Sequence, residues 1–448
     1  MFCFKRQCSQ PIDFYWLQSK LLAKRMHCQG AITQEKPPLL THSAITNGMP
    51  MLNHSSAPTL DFDLFDTDVM SQPDHYDQLV RETAPAVYLA RHGVWAVGGH
   101  TDVHAVFGDF QTYSSASGTG FTNIRKQENW RKPSLILESD PPEHSKYRRI
   151  MNKLLSPAVL RRLRTDFEQT AERIVDEALD RGDVDLMADL AEAFPFNVLP
   201  DTVGFGKENR ENLLIYSELN FNAMGEKNAR FHAAAERAAP IMDWVVENCR
   251  RDAIAPDTMG AAIFDLADQG ELTEEEAGML IRIFISAGMD TTINGIGFTL
   301  KALAQHPEAW AKLRENPGLA RAAFDEGLRY RAPSPYIGRT TTCETEIGGV
   351  RIGAEEKVIL FIAAANRDPR QWENPTRYDI DRKTSGHLAF GFGIHACVGQ
   401  MMARLEAEVI ISTIARKVAK IEIIGEPEYQ SINWLRGLSG LPVRLERA

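Results

Sequence analysis

A single cysteine stands in a glycine-rich segment near the C-terminal end of the chain, HLAFGFGIHACVGQ, at positions 387–400. The apolar spacing of the residues after Cys397 predicts a helix. A helix N-terminus stabilises a thiolate, so Cys397 is a candidate metal ligand or nucleophile. Gly391, Gly393 and Gly399 carry no side chains, which leaves room for a flat, bulky group at the sulfur. The alternative is an inert cysteine that only packs.

The longest helical pattern begins at a capping box formed by Thr273 and Glu276 and ends before Pro307. At 1.5 Å per residue, it predicts one helix of roughly 50 Å. Asp290 and Thr291 interrupt its apolar middle, in the segment SAGMDTT. An acid beside an alcohol can pass protons to a ligand, and threonine hydroxyls can bond backward to carbonyls and bend a helix. The alternative is a hydrogen-bonded polar patch with a structural role.

Two further charged clusters have helical spacing. Glu326 and Arg329 are three residues apart and can pair on one helix face, although such pairs are usually exposed and contribute little to stability. His144 and Arg148 lie four residues apart at the start of a predicted helix, directly after a proline-rich turn. They form either a solvated basic face or a clamp for an anion, because arginine holds carboxylates by paired hydrogen bonds.

The composition is that of a large globular protein, with 448 residues, 44% hydrophobic and 25% charged. A net charge of −10 argues against nucleic-acid binding, which needs a basic surface. The six cysteines are scattered without close pairs, which argues against a disulfide framework and a structural zinc site. No segment approaches the roughly 20 apolar residues that cross a bilayer. We expect a soluble cytoplasmic protein that binds neither nucleic acid nor membrane.

Residues 1–58 differ from the rest of the chain. They are rich in Pro, Ser, Thr and Asn without a sustained period, which predicts a flexible lead. Met49 or Met51 could each be the natural start. Residues 59–448 read as one domain, because no linker interrupts a dense succession of mostly helical patterns. Shorter strand-like segments occur at GVWAVGG, TEIGGVRIG and KVILFIAAAN, so the fold class is mainly α with a minor β region.

The cysteine loop resembles the haem-binding loop of the cytochrome P-450 family. Phe390, Gly393, Cys397 and Gly399 fit its pattern F-x-x-G-x-x-x-C-x-G. The segment AGMDTT, the Glu–Arg pair as E-x-x-R and the meander-like segment NPTRYD also occur, and the likeness runs from about residue 75 to the C-terminus. The resemblance implies the cytochrome P-450 fold, with haem between the long central helix and the cysteine loop with its following helix.

The resemblance also implies roles for individual residues. Cys397 is then the thiolate ligand of the iron of haem b, and Asp290 and Thr291 deliver protons to iron-bound dioxygen. The residues implied in holding the haem and its propionates are His144, Arg148, Arg339, His387, Phe390, Gly393 and Gly399. Those implied in a structural network behind the haem are Glu326, Arg329 and Arg377. The expected reaction is insertion of one oxygen atom of dioxygen into a C–H bond.

Electrons for this reaction must come from outside, because the sequence has no flavin or nicotinamide motif. The bacterial members of the family imply NAD(P)H as the source, a ferredoxin and a ferredoxin reductase as partners, and a monomeric enzyme. Arg404, Arg416 and Lys417 on the helix after the cysteine could form a docking patch for an acidic partner. A solvated face is the alternative.

A closer likeness concerns the substrate. WRKPSLILESDPPEH, ISAGMDTTINGIG and RKTSGHLAFGFG resemble bacterial monooxygenases that demethylate 4-methoxybenzoate and related para-substituted benzoates, in which an arginine and serines hold the carboxylate. Here Ser117 stands nearest the arginine's expected place, Ile283 replaces a serine, and Met224 replaces a ring-flanking phenylalanine. A buried carboxylate needs paired donors, so a phenol or aryl ether is as good a candidate for hydroxylation or O-demethylation. The other predicted pocket residues are Thr122, Phe221, Arg282, Ser286, Ala287 and Ile337.

Other functions are compatible with parts of the sequence. These are a terpenoid or other small-molecule hydroxylase, a peroxide-driven haem peroxygenase, a non-catalytic haem sensor or carrier, and a helical protein without haem. Asp290 and Thr291 argue against the peroxygenase and the sensor, because neither needs a pair of groups that delivers protons.

Overall fold

The computed structural model describes residues 57–127 and 129–448. Nearly all of the predicted flexible lead, including both alternative starts, lies outside these residues. The α-helices of the described part are α1 Thr67–Ser71, α2 Pro73–Thr83, α3 His100–Gly108, α4 Glu143–Leu154, α5 Pro157–Arg181, α6 Ala193–Val203, α7 Glu211–Met224, α8 Ala229–Ala238, α9 Met242–Asn248, α10 Met259–Asp268, α11 Glu274–Ala287, α12 Asp290–Gln305, α13 Pro307–Glu315, α14 Ala320–Tyr330, α15 Ile362–Ala365 and α16 Gln400–Lys417.

The strands belong to one larger sheet and three small ones. Their bounds are β1 Thr59–Leu60, β2 Val87–Leu89, β3 Val94–Val97, β4 Tyr113–Ser114, β5 Asp183–Asp185, β6 Tyr336–Thr341, β7 Thr345–Ile347, β8 Val350–Ile352, β9 Lys357–Phe361, β10 Val418–Ile423, β11 Glu428–Tyr429, β12 Leu438–Gly440 and β13 Pro442–Arg447. The six-stranded sheet has the order β1-β2-β3-β9-β6-β4, and the small sheets are β10-β13-β5, β11-β12 and β7-β8. Two of the predicted strand segments are therefore confirmed as β3 and the β7–β8 hairpin. The third is confirmed only in its first half, as β9, because its second half forms helix α15.

The helices form the larger part of the core. Helix α16 packs against α5 and α14, and α12 packs against α14. Helix α5 ends at Arg181, and Gly182 follows it with φ +76°. Among the described helices, none combines the length and the apolar character that crossing a membrane requires. The prediction of a mainly α fold with a minor β region is confirmed.

The central helical pattern is two helices rather than one. Helix α11 ends at Ala287, helix α12 begins at Asp290, and Met289 between them has φ −92° and ψ −72°. Thr291 Oγ1 donates to the carbonyl oxygen of Ala287 at 2.9 Å, and Thr292 Oγ1 donates to that of Gly288 at 3.0 Å. Because hydroxyls bind these carbonyls and glycine weakens a helix interior, the prediction of one unbroken helix was wrong.

The Glu–Arg pair of helix α14 is completely buried. Arg329 Nε and Nη2 lie 2.7 and 2.8 Å from the two carboxylate oxygens of Glu326, and both side chains are 0% exposed. The second arginine at this carboxylate is Arg382, whose Nε lies 3.2 Å from Oε1. The predicted Arg377 instead offers its carbonyl oxygen to Arg329 at 3.1 Å, and its side chain is exposed. The loop turns the side chain of Arg377 outward, so Arg382 takes the predicted position.

Candidate functional site

A cavity lies between the break in the central helix and the cysteine loop. On the loop side its wall includes Phe390, Gly391 and Cys397, and on the helix side it includes Ala287 and Thr291. The break therefore faces the cysteine across an open space. The sequence motifs of residues 286–292 and 387–400, which are about a hundred positions apart, form one site.

The sulfur of Cys397 lies where the loop turns into helix α16. The backbone N–H of Cys397 donates to Phe390 O at 2.7 Å and closes the loop. Burial raises the pKa of the Cys397 thiol, while hydrogen bonding by the backbone N–H groups of Gly399 and Gln400 and the positive charge of Arg148 lower it. Burial dominates, so the net shift of this pKa is upward. A metal ion at the sulfur would reverse it, because a cation stabilises the thiolate.

The loop beneath the cavity depends on glycine. Gly391 and Gly393 have φ values of +68° and +72°, a backbone region that residues with a side chain rarely adopt. A Cβ atom on Gly393 would also lie 2.6 Å from the carbonyl oxygen of Phe107. The loop consequently runs close to helix α3, and the cavity above Gly391 stays open for a broad, flat group.

Polar side chains without partners surround the same end of the cavity. Nδ1 of His395 and Nε2 of His144 have no hydrogen-bond partner among the described residues, and the two rings are 4.3 Å apart. Nε2 of His395 lies 3.5 Å from Oδ1 of Asp140. Arg339 is 3% exposed and donates to Gly338 O at 2.8 Å. Burial lowers the pKa of His144 to about 4 and that of Arg339 to about 10. Buried donors of this kind require acceptors, and the two propionates of a haem would provide them.

His387 does not line this cavity. Its Nδ1 accepts from the N–H of Ala389 at 3.3 Å, and its Nε2 lies 3.7 Å from Oδ1 of Asp325. The histidine that lines the cavity is His395, so the contact of His387 with a propionate stays a prediction and His395 is added as a candidate. The sequence could have indicated His395, because this residue stands two positions before Cys397 in the same motif.

The acid and the alcohol at the helix break occupy different places. Thr291 lines the cavity, whereas Asp290 lies behind it and is buried. Burial raises the pKa of Asp290 to about 7, an effect that the hydroxyl of Ser217 opposes and that the nearby Glu218 and Glu192 increase. A carboxyl group that titrates near neutral pH can both give and take a proton, which suits a relay to Thr291.

Most of the predicted pocket residues line the cavity. They are Phe221, Met224, Arg282, Ile283, Ser286, Ala287 and Ile337. Ser117 and Thr122 do not. The carbonyl oxygens of Ser117 and Gly118 accept from Nζ of Lys357 at 3.4 and 2.7 Å, which holds this part of the loop against β9. Thr122 lines a second, smaller cavity, so neither residue is near enough to contact a ligand above the cysteine.

Several polar residues of the cavity wall were missed from the sequence, and three of them bear on ligand binding. Arg131, Ser134 and Tyr216 all line it, and the hydroxyl of the buried Tyr216 has no hydrogen-bond partner among the described residues. The sequence places Ser117 nearest the position expected for an arginine, whereas the arginine that lines the cavity is Arg131, which follows later in the same loop. Arg131 and Ser134 both belong to the segment WRKPS, which the sequence already singled out. The fold of the loop decides which residues of this segment face the cavity.

A loop and the C-terminal end of helix α7, both at the cavity, meet through their backbones. The N–H of Phe121 donates to Met224 O at 2.8 Å, and a Cβ atom on Gly120 would lie 2.2 Å from that same oxygen. The side chain of Met224 lines the main cavity and also the smaller one. We call this contact the loop clasp.

The predicted basic patch on helix α16 is neutralised within the chain. Arg404 Nε lies 2.7 Å from Asp325, and Arg416 Nη2 lies 2.6 Å from Glu172. Lys417 Nζ lies 2.5 Å from Glu172. These ion pairs favour the alternative, in which the three residues form an ordinary solvated face.

A cysteine in a glycine-lined loop, unpartnered histidine nitrogens and a buried arginine, opposite a broken helix, define the haem-thiolate class. The Cytochrome P450 family model matches residues 205–418. The chain is 46% identical over 400 residues to cytochrome p450 CYP199A2 of Rhodopseudomonas palustris, which covers 89% of this chain and 97% of that protein. The chain therefore belongs to the cytochrome P450 family, and it is a P450 monooxygenase.

Solved structures show the same fold. CYP109Q5 from Chondromyces apiculatus has a TM-score of 0.73 at 29% identity, covering 87% of this chain and 99% of its own. Cytochrome P450 CREJ in complex with (4-ethylphenyl) dihydrogen phosphate has a TM-score of 0.76 at 26% identity, covering 86% and 99%. Family membership implies a haem cofactor and external redox partners, and the unpartnered buried donors at the cavity fit this cofactor.

Proposed function

We propose that this monooxygenase oxidises a small para-substituted aromatic acid, by hydroxylation or by oxidative O-demethylation. Its electrons come from NAD(P)H through a ferredoxin and a ferredoxin reductase in the cytoplasm. The observation that carries the substrate class is a guanidinium group in the cavity wall without a partner. Arg282 makes no hydrogen bond or ion pair with any other described residue, although its side chain is only partly exposed.

The polar residues of the cavity are of the kind that binds an anion. Arg131, Ser134, Tyr216 and Arg282 supply guanidinium and hydroxyl donors. A partly buried cation without a counter-ion is unfavourable, and a ligand carboxylate would satisfy both Arg282 and the Tyr216 hydroxyl. Charge-assisted hydrogen bonds of this kind are about twice as strong as neutral ones, so an acid is favoured over a phenol or an aryl ether.

The remaining wall is apolar and suits an aromatic ring. Phe221, Met224, Ile283 and Ile337 contribute to it, and an aromatic ring gains mainly from burial against such side chains. The solved relative CREJ was crystallised with (4-ethylphenyl) dihydrogen phosphate, a para-substituted aromatic compound with an anionic group. A ligand held by its acid end would point its para substituent away from that end.

Haem, when bound, supplies dioxygen activation and the transfer of an oxygen atom to a C–H bond. Cys397 would hold its iron, and His144, Arg148, Arg339 and His395 would hold its propionates. The protein orients the ligand and excludes water from the cavity.

We assign proton transfer to Asp290 and Thr291 at the helix break. Asp290, with a pKa of about 7, takes protons from outside and passes them towards the Thr291 hydroxyl. That hydroxyl donates its own hydrogen to Ala287 O, so its oxygen remains free to accept one.

A pair of ligands tests the substrate class. 4-Methoxybenzoate and 4-methoxybenzamide have nearly the same shape, but only the first carries a charge at neutral pH. In spectral titrations of the holoenzyme, we expect the benzoate to bind at least about tenfold more tightly, because hydrogen bonds to charged groups contribute about 1.5–3 kcal/mol. The reconstituted system should release one formaldehyde for each benzoate demethylated.

Two variants sharpen this test. Arg282→Ala should raise the dissociation constant for the benzoate about tenfold to a hundredfold and leave that for the amide nearly unchanged. Arg161→Ala, which removes an exposed arginine outside the cavity wall, is the matched control. Equal binding of the two ligands by the unaltered enzyme would contradict an acid as substrate and favour a neutral phenol or aryl ether.

A further inference from the structure

Glu138 lies behind the anion-binding residues without facing the main cavity. It is 9% exposed and lines only the smaller cavity, on the other side of Arg131. A buried carboxylate so near an expected anionic ligand is unfavourable in simple electrostatic terms, because like charges repel. Its presence therefore needs a structural explanation.

One oxygen of Glu138 binds two parts of the anion-binding end. Oε2 accepts from Nη1 of Arg131 at 2.8 Å and from the backbone N–H of Ser134 at 2.8 Å. The backbone N–H of Glu138 donates to Ser134 O at 3.1 Å, so the segment closes on itself. Nη1 of Arg131 also donates to Lys132 O at 2.9 Å, which fixes the guanidinium from a second direction.

This arrangement leaves the rest of the guanidinium free. An arginine has five N–H donors, and the contacts to Glu138 and Lys132 use only Nη1. Burial acts to lower the pKa of Arg131, but the net shift is upward, mainly because of the negative charge of Glu138 and its hydrogen bond to the guanidinium. The guanidinium is thus charged, fixed and close to the unpartnered Tyr216 hydroxyl at the cavity wall.

We propose that Glu138 is a positioning residue that fixes Arg131 and Ser134 for the acid group of the substrate. The proposal rests on the proposed function, since it assumes an anionic ligand. Fixing a long side chain before binding reduces the entropy that the ligand must overcome. Glu138 thereby increases the affinity for an acid although it carries the same charge.

Two substitutions separate positioning from simple charge. Glu138→Ala removes both hydrogen bonds, and Glu138→Gln keeps an acceptor oxygen but removes the charge. In spectral titrations of the holoenzyme we expect the dissociation constant for 4-methoxybenzoate to rise about tenfold in E138A and about threefold in E138Q. The constant for 4-methoxybenzamide should change less than twofold in both variants. Glu143→Ala, at an exposed glutamate near the start of α4, is the control.

A double-mutant cycle identifies the route of the effect. If Glu138 acts through Arg131 and Ser134, then the substitution E138A should weaken benzoate binding less in the R131A background than in the unaltered enzyme, because only the contact to Ser134 remains to be lost. Additive losses, or equal weakening of both ligands by E138A, would overturn the positioning role. Unchanged or tighter benzoate binding in E138Q would overturn it too, and this variant suffices if E138A does not fold.

Failure of the two proposals can be told apart. If the unaltered enzyme prefers the benzoate but E138A and E138Q keep that preference, only the role of Glu138 is refuted. If the unaltered enzyme binds both ligands equally or binds neither, the acid-binding function and the role of Glu138 fall together.

Discussion

Replacing Asp290 by asparagine should stabilise the protein at alkaline pH and impair the reaction. Burial raises the pKa of this carboxyl group from an ordinary value near 3.8 to about 7 in the folded chain. Between these two pH values the folded state holds a proton that the unfolded chain releases, so the free energy of unfolding falls as the pH rises through this window. Above about pH 7 the loss is complete.

The size of the effect follows from the shift. One pKa unit corresponds to about 1.4 kcal/mol, so a shift of about three units gives a loss of up to about 4 kcal/mol. Asparagine has nearly the same shape as the protonated acid and does not titrate. We therefore expect D290N to be more stable than the unaltered protein at pH 8, by up to about 4 kcal/mol, and nearly equal to it at pH 4.

Denaturation of the holoenzyme from pH 4 to pH 8 measures this difference. Asp265→Asn, at an exposed aspartate of α10, is the matched control and should follow the unaltered protein. Turnover of D290N should be slower by about 10²-fold or more, because positioned acid–base groups contribute 10²–10⁴-fold. Stability curves of D290N and unaltered protein that stay parallel across the whole pH range would refute the argument.

Four other substitutions have definite outcomes. Cys397→Ala should abolish the red-shifted Soret band of the reduced carbon monoxide complex, and a surviving band would exclude this residue as the ligand. Thr291→Ala should keep ligand binding but divert electrons to hydrogen peroxide, which is measured as product formed per NAD(P)H consumed; an unchanged yield would contradict a proton relay. Arg382→Ala should lower the urea-unfolding free energy by about 1.5–3 kcal/mol through its bond to Glu326, whereas Arg377→Ala should change it by less than about 0.5 kcal/mol. Equal losses would contradict the assignment of Arg382.

Features encoded by neighbouring residues were predictable from the sequence. The capping box is present, with Thr273 Oγ1 3.1 Å from Glu276 N and Glu276 Oε2 2.8 Å from Thr273 N. The cysteine loop and the helix that follows it are also where their spacing predicts them. In each case a few adjacent side chains determine the backbone conformation, so the pattern can be recognised from the sequence without knowledge of the fold.

Features that depend on distant parts of the chain were not predictable. The sequence at the helix break indicates low helix propensity. Only the structure shows that threonine hydroxyls, in place of backbone N–H groups, donate to the carbonyl oxygens of Ala287 and Gly288. Arg377 and Arg382 both come after the E-x-x-R motif in the sequence. The geometry of the loop alone decides which of them reaches Glu326. A single loop likewise places Arg131 at the cavity and Ser117 away from it, because Lys357 holds the backbone there from another strand.

The loop clasp makes position 224 useful for protein engineering. The clasp uses the carbonyl oxygen of Met224 and the backbone of Gly120 and Phe121, so it does not depend on which side chain stands at 224. Phenylalanine, leucine or alanine at position 224 would change the size of the apolar part of the cavity, while the loop clasp stays in place. A small set of variants at position 224 would therefore test which substrates the enzyme accepts, with little loss of folded protein. A side chain at Gly120, in contrast, would push the loop away from the end of helix α7.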